Sequence, residues 1–303
     1  MSELEEAKSK MPSDTGMLEV GEGGLVRAVV KGNRGGLAHS YLQGAHVTHF
    51  QPPDQAPVLF LSSASRFEAG KPIRGGVPIV FPWFGPHPTD KSAPQHGFAR
   101  TLKWEPYAVR SAFTGEVELL LRLQSFEATR RSMPNDFELI YSVQVGRELR
   151  LSLTVTNTSD SPFTFEEALH TYLSVGDVRQ ITIEGLAGRT FIDKVDGARR
   201  KIQSDGPMKI SGETDRVYLD TTETVCVTDP QMGRRLLISK EDSASTVVWN
   251  PWIEKAKAMS DFGDDEWPRM LCIETANVAD NRITLAPGAS HTMRATIASE
   301  SLE

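Results

Sequence analysis

A strict period of two, with almost no helical period beside it, constrains this chain more than any other feature. In "RELRLSLTVTNTS" (147–159) Leu149, Leu151, Leu153 and Val155 fall on one face of an extended segment, and Arg150, Ser152, Thr154 and Thr156 fall on the other. That is the pattern of a strand with one face buried. "HTMRATIA" (291–298) repeats it with Met293, Ala295 and Ile297, and Gly288 marks the turn after "RITLAP". About fifteen short runs rich in Val, Ile, Leu, Phe and Thr fill the chain, among them "LVRAVV" (25–30), "VELLLRLQ" (117–124), "FELIYSVQV" (137–145), "VCVTD" (225–229) and "RRLLISK" (234–240). Turn residues separate them at short intervals. Only "WIEKAKAM" (252–259) has the pattern for two helical turns, and residues 1–15 for a frayed one.

Many strands with few helices between them imply antiparallel sheets stacked as a large sandwich. No fixed-period repeat points to a propeller or solenoid, and no Pro/Ser/Gly linker is long enough to divide the chain into separate domains. The expectation is therefore an all-β chain with one domain over residues 16–299 and a flexible N-terminal segment over 1–15. With 303 residues and 39% hydrophobic content the chain can bury a sizeable core.

A formal charge of -7 with no cluster of Lys and Arg argues against a nucleic-acid partner. Cys226 and Cys272 lie far apart in apolar settings, "TVCVT" and "MLCIE", which suits buried free thiols in a reducing compartment. "MSELEEAKSK" carries acidic residues and no apolar run, so it reads as neither a secretory signal nor a transit peptide. No stretch approaches the ~20 apolar residues of a membrane span. The expected location is cytoplasmic, and the sequon at Asn157 reads as an ordinary turn. The histidines and cysteines show no metal-ligand spacing, and a Gly-rich phosphate loop followed by Lys and Ser/Thr is missing. His39, His46, His49 and His87 read as surface or satisfied residues, and His291 is unplaced.

Two expected strands carry charge where burial is called for. In "FTFEEALHTYLSV" (163–175) Ala168, His170 and Tyr172 share a face, with His170 in mid-strand. In "MLCIETAN" (270–277) Glu274 is the only carboxylate. A carboxylate taken from water into a sheet face must be paired or neutralised. Two readings fit: a structural ion pair and a hydrogen-bonded core histidine, or a general acid and base lining a concave face. Upstream, "RFEAGKPIRGGVPIVFPWFG" and "HGFAR" set Arg74 and Arg100 in an irregular loop rich in aromatics, of the kind that walls small-molecule pockets. Taken alone, each arginine also fits a solvated surface role.

The ordered set "IRGGVPIVFPWFG", "QHGFAR", "EEALHTYLSVGDV", "ETDRVY", "VVWNPW" and "IETANV" resembles the aldose 1-epimerase superfamily, and more closely its glucose-6-phosphate 1-epimerase branch. The resemblance spans about Arg74 to Val278 and implies a large antiparallel β-supersandwich, galactose mutarotase-like, with few short helices. It also implies an isomerase acting on the anomers of hexose 6-phosphates, with no cofactor. By motif, His170 matches the catalytic acid and Glu274 the base. Asp215 matches the residue that holds a sugar hydroxyl, and Arg74, Gln95 and Arg100 match phosphate and substrate contacts. His96 and Trp249 match pocket walls. The implied partner is a small-molecule hexose 6-phosphate, with no membrane, no metal and a monomeric chain.

In the implied reaction Glu274 as carboxylate takes the anomeric hydroxyl proton while protonated His170 gives one to the ring oxygen. The alternatives are an epimerase for unphosphorylated aldoses, a silent sugar-binding module on the same sandwich, and a glycoside hydrolase, whose usual pair of carboxylates is not matched here.

Overall fold

The computed structural model describes residues 2–10, 17–33, 35–112 and 114–302. Two eight-stranded antiparallel sheets carry the architecture. One, here the rear sheet, runs in spatial order Thr182–Glu184, Val225–Asp229, Arg234–Glu241, Ser290–Ser301, Leu149–Asn157, Phe137–Val145, Val117–Gln124, Glu105–Ser111. The other, here the site sheet, runs Arg199–Ile202, Thr190–Asp193, Thr214–Leu219, Ser245–Asn250, Met270–Asn277, Glu167–Leu169, Ile79–Val80, with Tyr172–Ser174 also paired to Met270–Asn277. A four-stranded sheet, from Leu18–Val20 to His46–Gln51, and a two-stranded one, Phe163–Phe165 with Ile283–Leu285, complete it. The all-β supersandwich read from the sequence is the fold.

The period-two runs behave as read. Leu149, Leu151, Leu153 and Val155 are buried, as are Met293, Ala295 and Ile297 on the neighbouring strand. They join one apolar cluster that reaches Leu173, Leu271 and Ile273 of the site sheet, so the two sheets share a core. Each Leu, Ile, Val or Met side chain among them contributes about 1.5–3 kcal/mol when taken from water. Helix is confined to short pieces among the described residues: Glu3–Ser9, Glu127–Arg130 and the two-turn Trp252–Ala258. The second of these carries no helical signal in the sequence.

Within residues 1–15, read as a flexible segment with the pattern for a frayed helical turn, Glu3–Ser9 is a helix. Ser2 and Glu5 cap it reciprocally, and Lys10 pairs with Glu105 while Lys103 pairs with Glu3 and Glu6. The boundary placed between residues 15 and 16 lies outside the described residues. Asn157 is buried and donates to the Ser161 and Leu285 carbonyls, so its turn belongs to the core. The two thiols are free, but only Cys272 is buried; Cys226 is half-buried on a strand whose alternate positions face inward. Among the described residues no helix is long and apolar enough to cross a membrane.

Candidate active site

His170 does not stand in the middle of a strand as the sequence suggests. The run 163–175 breaks into Phe163–Phe165, Glu167–Leu169 and Tyr172–Ser174, and His170 and Thr171 form the gap between the last two. The His170 N–H turns to the Pro78 carbonyl at 3.0 Å, and Thr171 N–H folds back to Leu169. The register is unbroken across the gap, with Leu169 opposite Thr275 and Tyr172 opposite Cys272. His170 therefore faces Glu274, and its Nε2 lies 3.3 Å from Glu274 Oε1.

The site sheet brings in two more groups by register. Val247 lies opposite Glu274, and Asp215 lies opposite Trp249, two places further along the same strand. The arginines come from the loops. Ahead of Arg74 the chain is pinned by its N–H to Ser65 Oγ at 2.8 Å. Behind it, His46 Nε2 bonds the Gly75 carbonyl at 2.7 Å, so His46 is buried and braces the loop. Gly76 has φ 62° and passes so close to Val47 that a Cβ would sit 2.2 Å from its carbonyl oxygen. The aromatic stretch expected to be irregular contains one short strand, Ile79–Val80, paired with Glu167–Leu169, and isolated bridges at Gly75, Val77 and Phe81. Arg100 sits in the turn Ala99–Thr101, entered through Gly97 (φ 73°), whose Cβ would meet Phe81 O at 1.9 Å.

All eight residues singled out from the sequence, His170, Glu274, Arg74, Gln95, Arg100, Asp215, His96 and Trp249, line one cavity of about 460 Å³. The sequence reading missed Tyr172, Lys194, Lys255 and Met259 on its wall, and Asp261 behind Arg74. Lys255 and Met259 were inside or beside the short helix expected at 252–259, so its face was the available signal. A lysine in a turn, as at Lys194, carries no signal of its own.

Electrostatics separates the arginines. Arg74 is committed: Nη2 donates to both Asp261 oxygens at 3.1 and 3.2 Å, and Nη1 to the Tyr172 hydroxyl at 3.0 Å. Arg100 Nη2 donates to the Gln95 carbonyl at 2.6 Å, and burial followed by Arg74 pulls its pKa to about 10, so it remains a cation at neutral pH. Of the two, Arg100 is the one with no carboxylate in contact among the described residues. His96 accepts from the Gly85 N–H through Nδ1, and burial together with Arg100 and Arg74 lowers it to about 3, so it is neutral with its proton on Nε2.

Burial acts on the central pair most strongly. It drives His170 well below its ordinary 6.5, with His96, Arg100 and Arg74 adding to the effect. It drives Glu274 well above 4.5, with Asp215 adding. At ordinary values a carboxylate and an imidazolium would coexist in mildly acidic water, as the sequence reading assumed. Burial instead disfavours the charged form of each residue, pushing the pair toward a neutral state. His170 Nδ1 and Glu274 Oε2 are buried with no protein partner among the described residues, as are the Nε atoms of both arginines. Unpaired groups of this kind are costly in a core and apt in a site that takes a polyhydroxylated ligand. Among the described residues no three His, Cys, Asp or Glu side chains converge as a metal-ligand set.

The sequence matches the aldose 1-epimerase family over residues 27–298. A protein of Cenchrus ciliaris, provisionally named glucose-6-phosphate 1-epimerase, is 37% identical over 289 residues, covering 92% of this chain and 86% of the relative. Its namesake in Escherichia coli K12 is 35% identical over 241 residues, 80% of each chain. A crystal structure from Salmonella typhimurium, provisionally described as a mutarotase, superposes with a TM-score of 0.87 at 32% identity over 95% of both chains.

Proposed function

The chain belongs to the aldose 1-epimerase family, and on that premise we propose that it interconverts the α and β anomers of hexose 6-phosphates, chiefly D-glucose 6-phosphate. The observation that carries this reading is the buried His170–Glu274 pair, 3.3 Å apart and opposite in register, in a cavity that also holds Arg100, which has no carboxylate partner among the described residues. Anomer exchange needs one base for the O1 hydroxyl and one acid for the ring oxygen, and the pair holds the single proton that this requires.

In the reactive form Glu274 is the carboxylate and His170 the imidazolium. Glu274 takes the O1 proton, the O1 electrons form the C1=O1 bond, the C1–O5 bond breaks, and His170 delivers its proton to O5. Rotation about C1–C2 turns the other aldehyde face to O5. Closure by the reverse transfers restores the pair and gives the opposite anomer. Asp215 and the His96 Nε2 proton are the acceptor and donor for ring hydroxyls, and Trp249 walls the pocket. Arg100 grips the phosphate dianion by charge-assisted hydrogen bonds, with Lys194 and Lys255 on the same cavity wall. Arg74, held in place by Asp261 and the Tyr172 hydroxyl, lines the same cavity and adds its charge to that grip. The neutral resting pair differs from the reactive form only in where one proton sits, so the transfer across 3.3 Å precedes ring opening.

The sign of the pH dependence follows. A second proton enters only when pH falls to the depressed value of His170, and the single proton leaves only when pH rises to the raised value of Glu274. Neither residue of the pair should therefore give a limb at its ordinary value in a kcat/KM profile measured on free glucose, where no substrate phosphate titrates. An alkaline fall near 6.5 would make the imidazolium the resting form instead.

NMR exchange spectroscopy of the α and β anomers of glucose 6-phosphate and of glucose, with and without the protein, tests the reading. Acceleration of the phosphorylated sugar well beyond the free one is expected. Equal handling would move the assignment to unphosphorylated aldoses, and no acceleration of either would leave a binding module. We propose further that the chain acts as a monomer in the cytoplasm, folding as one domain over residues 16–299. Among the described residues few large apolar side chains are exposed, Tyr107, Phe126 and Ile202 among them, which supports the monomer, and sedimentation at working concentration checks it.

A further inference from the structure

Tyr172 touches both halves of this site and has no role in the reaction as written. Its ring lies parallel to the His170 imidazole, centroids 4.8 Å apart and planes 10° from each other. The edge of Trp249 closes on the same ring at 5.9 Å and 76°. The phenol oxygen accepts from Arg74 Nη1 at 3.0 Å. The main chain is held from three sides: Tyr172 N–H to the Gly76 carbonyl, its own carbonyl from Phe60 N–H, and the register partner Cys272. The side chain is 1% exposed. A phenylalanine would fill this volume and stack equally well, so packing does not explain the hydroxyl. Burial raises the phenol to about 12 and keeps it neutral, so it serves Arg74 as a dipole and not as a counter-ion.

We propose that Tyr172 is a positioning residue that couples the anion grip to the acid: its ring fixes the plane in which His170 Nε2 meets Glu274, and its hydroxyl fixes the Arg74 guanidinium. One stiff side chain with two rotatable bonds then sets the distance between the phosphate end of the substrate and the reacting ring oxygen. Two separate contacts, each to a loop or strand break, could not fix that distance as tightly. The inference rests on the assignment of Arg74 to the phosphate and of His170 to the ring oxygen.

Steady-state kinetics of wild type, Tyr172→Phe and Tyr172→Leu on glucose 6-phosphate and on glucose separate the two contacts. Tyr172→Phe keeps the stack and removes one of Arg74's acceptors. The expected result is a fall of about five- to tenfold in kcat/KM for the phosphorylated sugar, mostly in KM, with free glucose within about twofold. Tyr172→Leu removes the stack. It is expected to lower kcat on both sugars by about tenfold or more, with KM for glucose little changed. If Tyr172→Phe lowers only the melting temperature and leaves the ratio between the two sugars as in wild type, the hydroxyl is structural and the proposal is overturned. An equal loss on both sugars in Tyr172→Phe also overturns it, since the hydroxyl would then act on the chemistry directly. If Tyr172→Leu does not fold, the Phe variant alone decides. A wild type that prefers neither sugar refutes the phosphate assignment first, and the coupling falls with it.

Discussion

Along Leu149–Asn157 of the rear sheet every second side chain is buried and those between face outward; along Met270–Asn277 of the site sheet every side chain is buried. The rear strand pairs eight of its residues with Ser290–Ser301, and its polar face satisfies itself in the open, as in the Thr154–Thr292 hydroxyl pair. The site strand is walled on both faces and still carries Glu274, opposite a histidine that interrupts the neighbouring strand. A sheet covered on one side can send its polar groups to water. A sheet covered on both sides must hold any polar group without water, and there the group acquires shifted proton affinity and unmet hydrogen-bonding capacity. The first arrangement gives stability, and the second gives chemistry at the expense of stability.

The widest separation between the regions comes from Glu274→Gln. It is expected to lower kcat by about 10²–10⁴-fold while sugar phosphate still binds, and to raise the melting temperature. The sign follows from burial: the folded pKa of Glu274 lies above its unfolded value of 4.5, so its stabilising contribution is complete below 4.5 and is lost as pH rises toward the folded value. The variant's thermal advantage should therefore grow above pH 4.5, as scanning calorimetry across pH would show; a variant less stable than wild type at neutral pH would break the comparison. Leu153→Ala makes the opposite cut. It is expected to cost about 2–5 kcal/mol of unfolding free energy, with kcat/KM per folded molecule unchanged, and a matching loss of turnover in the folded fraction would show that the two regions are not separable. Within the site sheet's cavity, Arg100→Ala should reduce kcat/KM for glucose 6-phosphate by about ten- to a hundredfold and leave free glucose within about twofold. Asp261→Asn is the smallest change. Freeing Arg74 from its carboxylate should strengthen competitive inhibition by inorganic phosphate by about two- to fivefold, and weaker inhibition would mean that Asp261 orients Arg74 for the anion.

The same contrast sets how much was legible in the sequence. Leu149, Leu151 and Leu153 announce their strand because one face meets water and the other does not. Met270–Asn277 is buried along its whole length, so its letters do not say which way Glu274 points; only the register with Leu169 and Tyr172 does that. The gap at His170 was invisible because the partner of its N–H, the Pro78 carbonyl, comes from a segment far away in the chain. The grouping of eight site residues followed from a resemblance carried by ordered motifs. Lys194 and Asp261 were not found, since a charged residue in a turn reads the same whether it faces solvent or a cavity. Tyr172 was seen only as a face-mate of His170, and its bond to Arg74 depends on a loop no local pattern fixes.

The ion pair between Arg74 and Asp261 joins positions 187 residues apart. During synthesis at about 5–20 residues per second, Arg74 and the aromatic loop around it leave the ribosome many seconds before the strand and loop that carry Glu274 and Asp261. Until then a half-built sheet presents apolar surface and an uncompensated cation. A nascent chain stalled before residue 261 carries His170, Arg74 and Arg100 but neither Glu274 nor Asp261, so the proposed acid–base pair and the brace on Arg74 both wait for the last strands to be made.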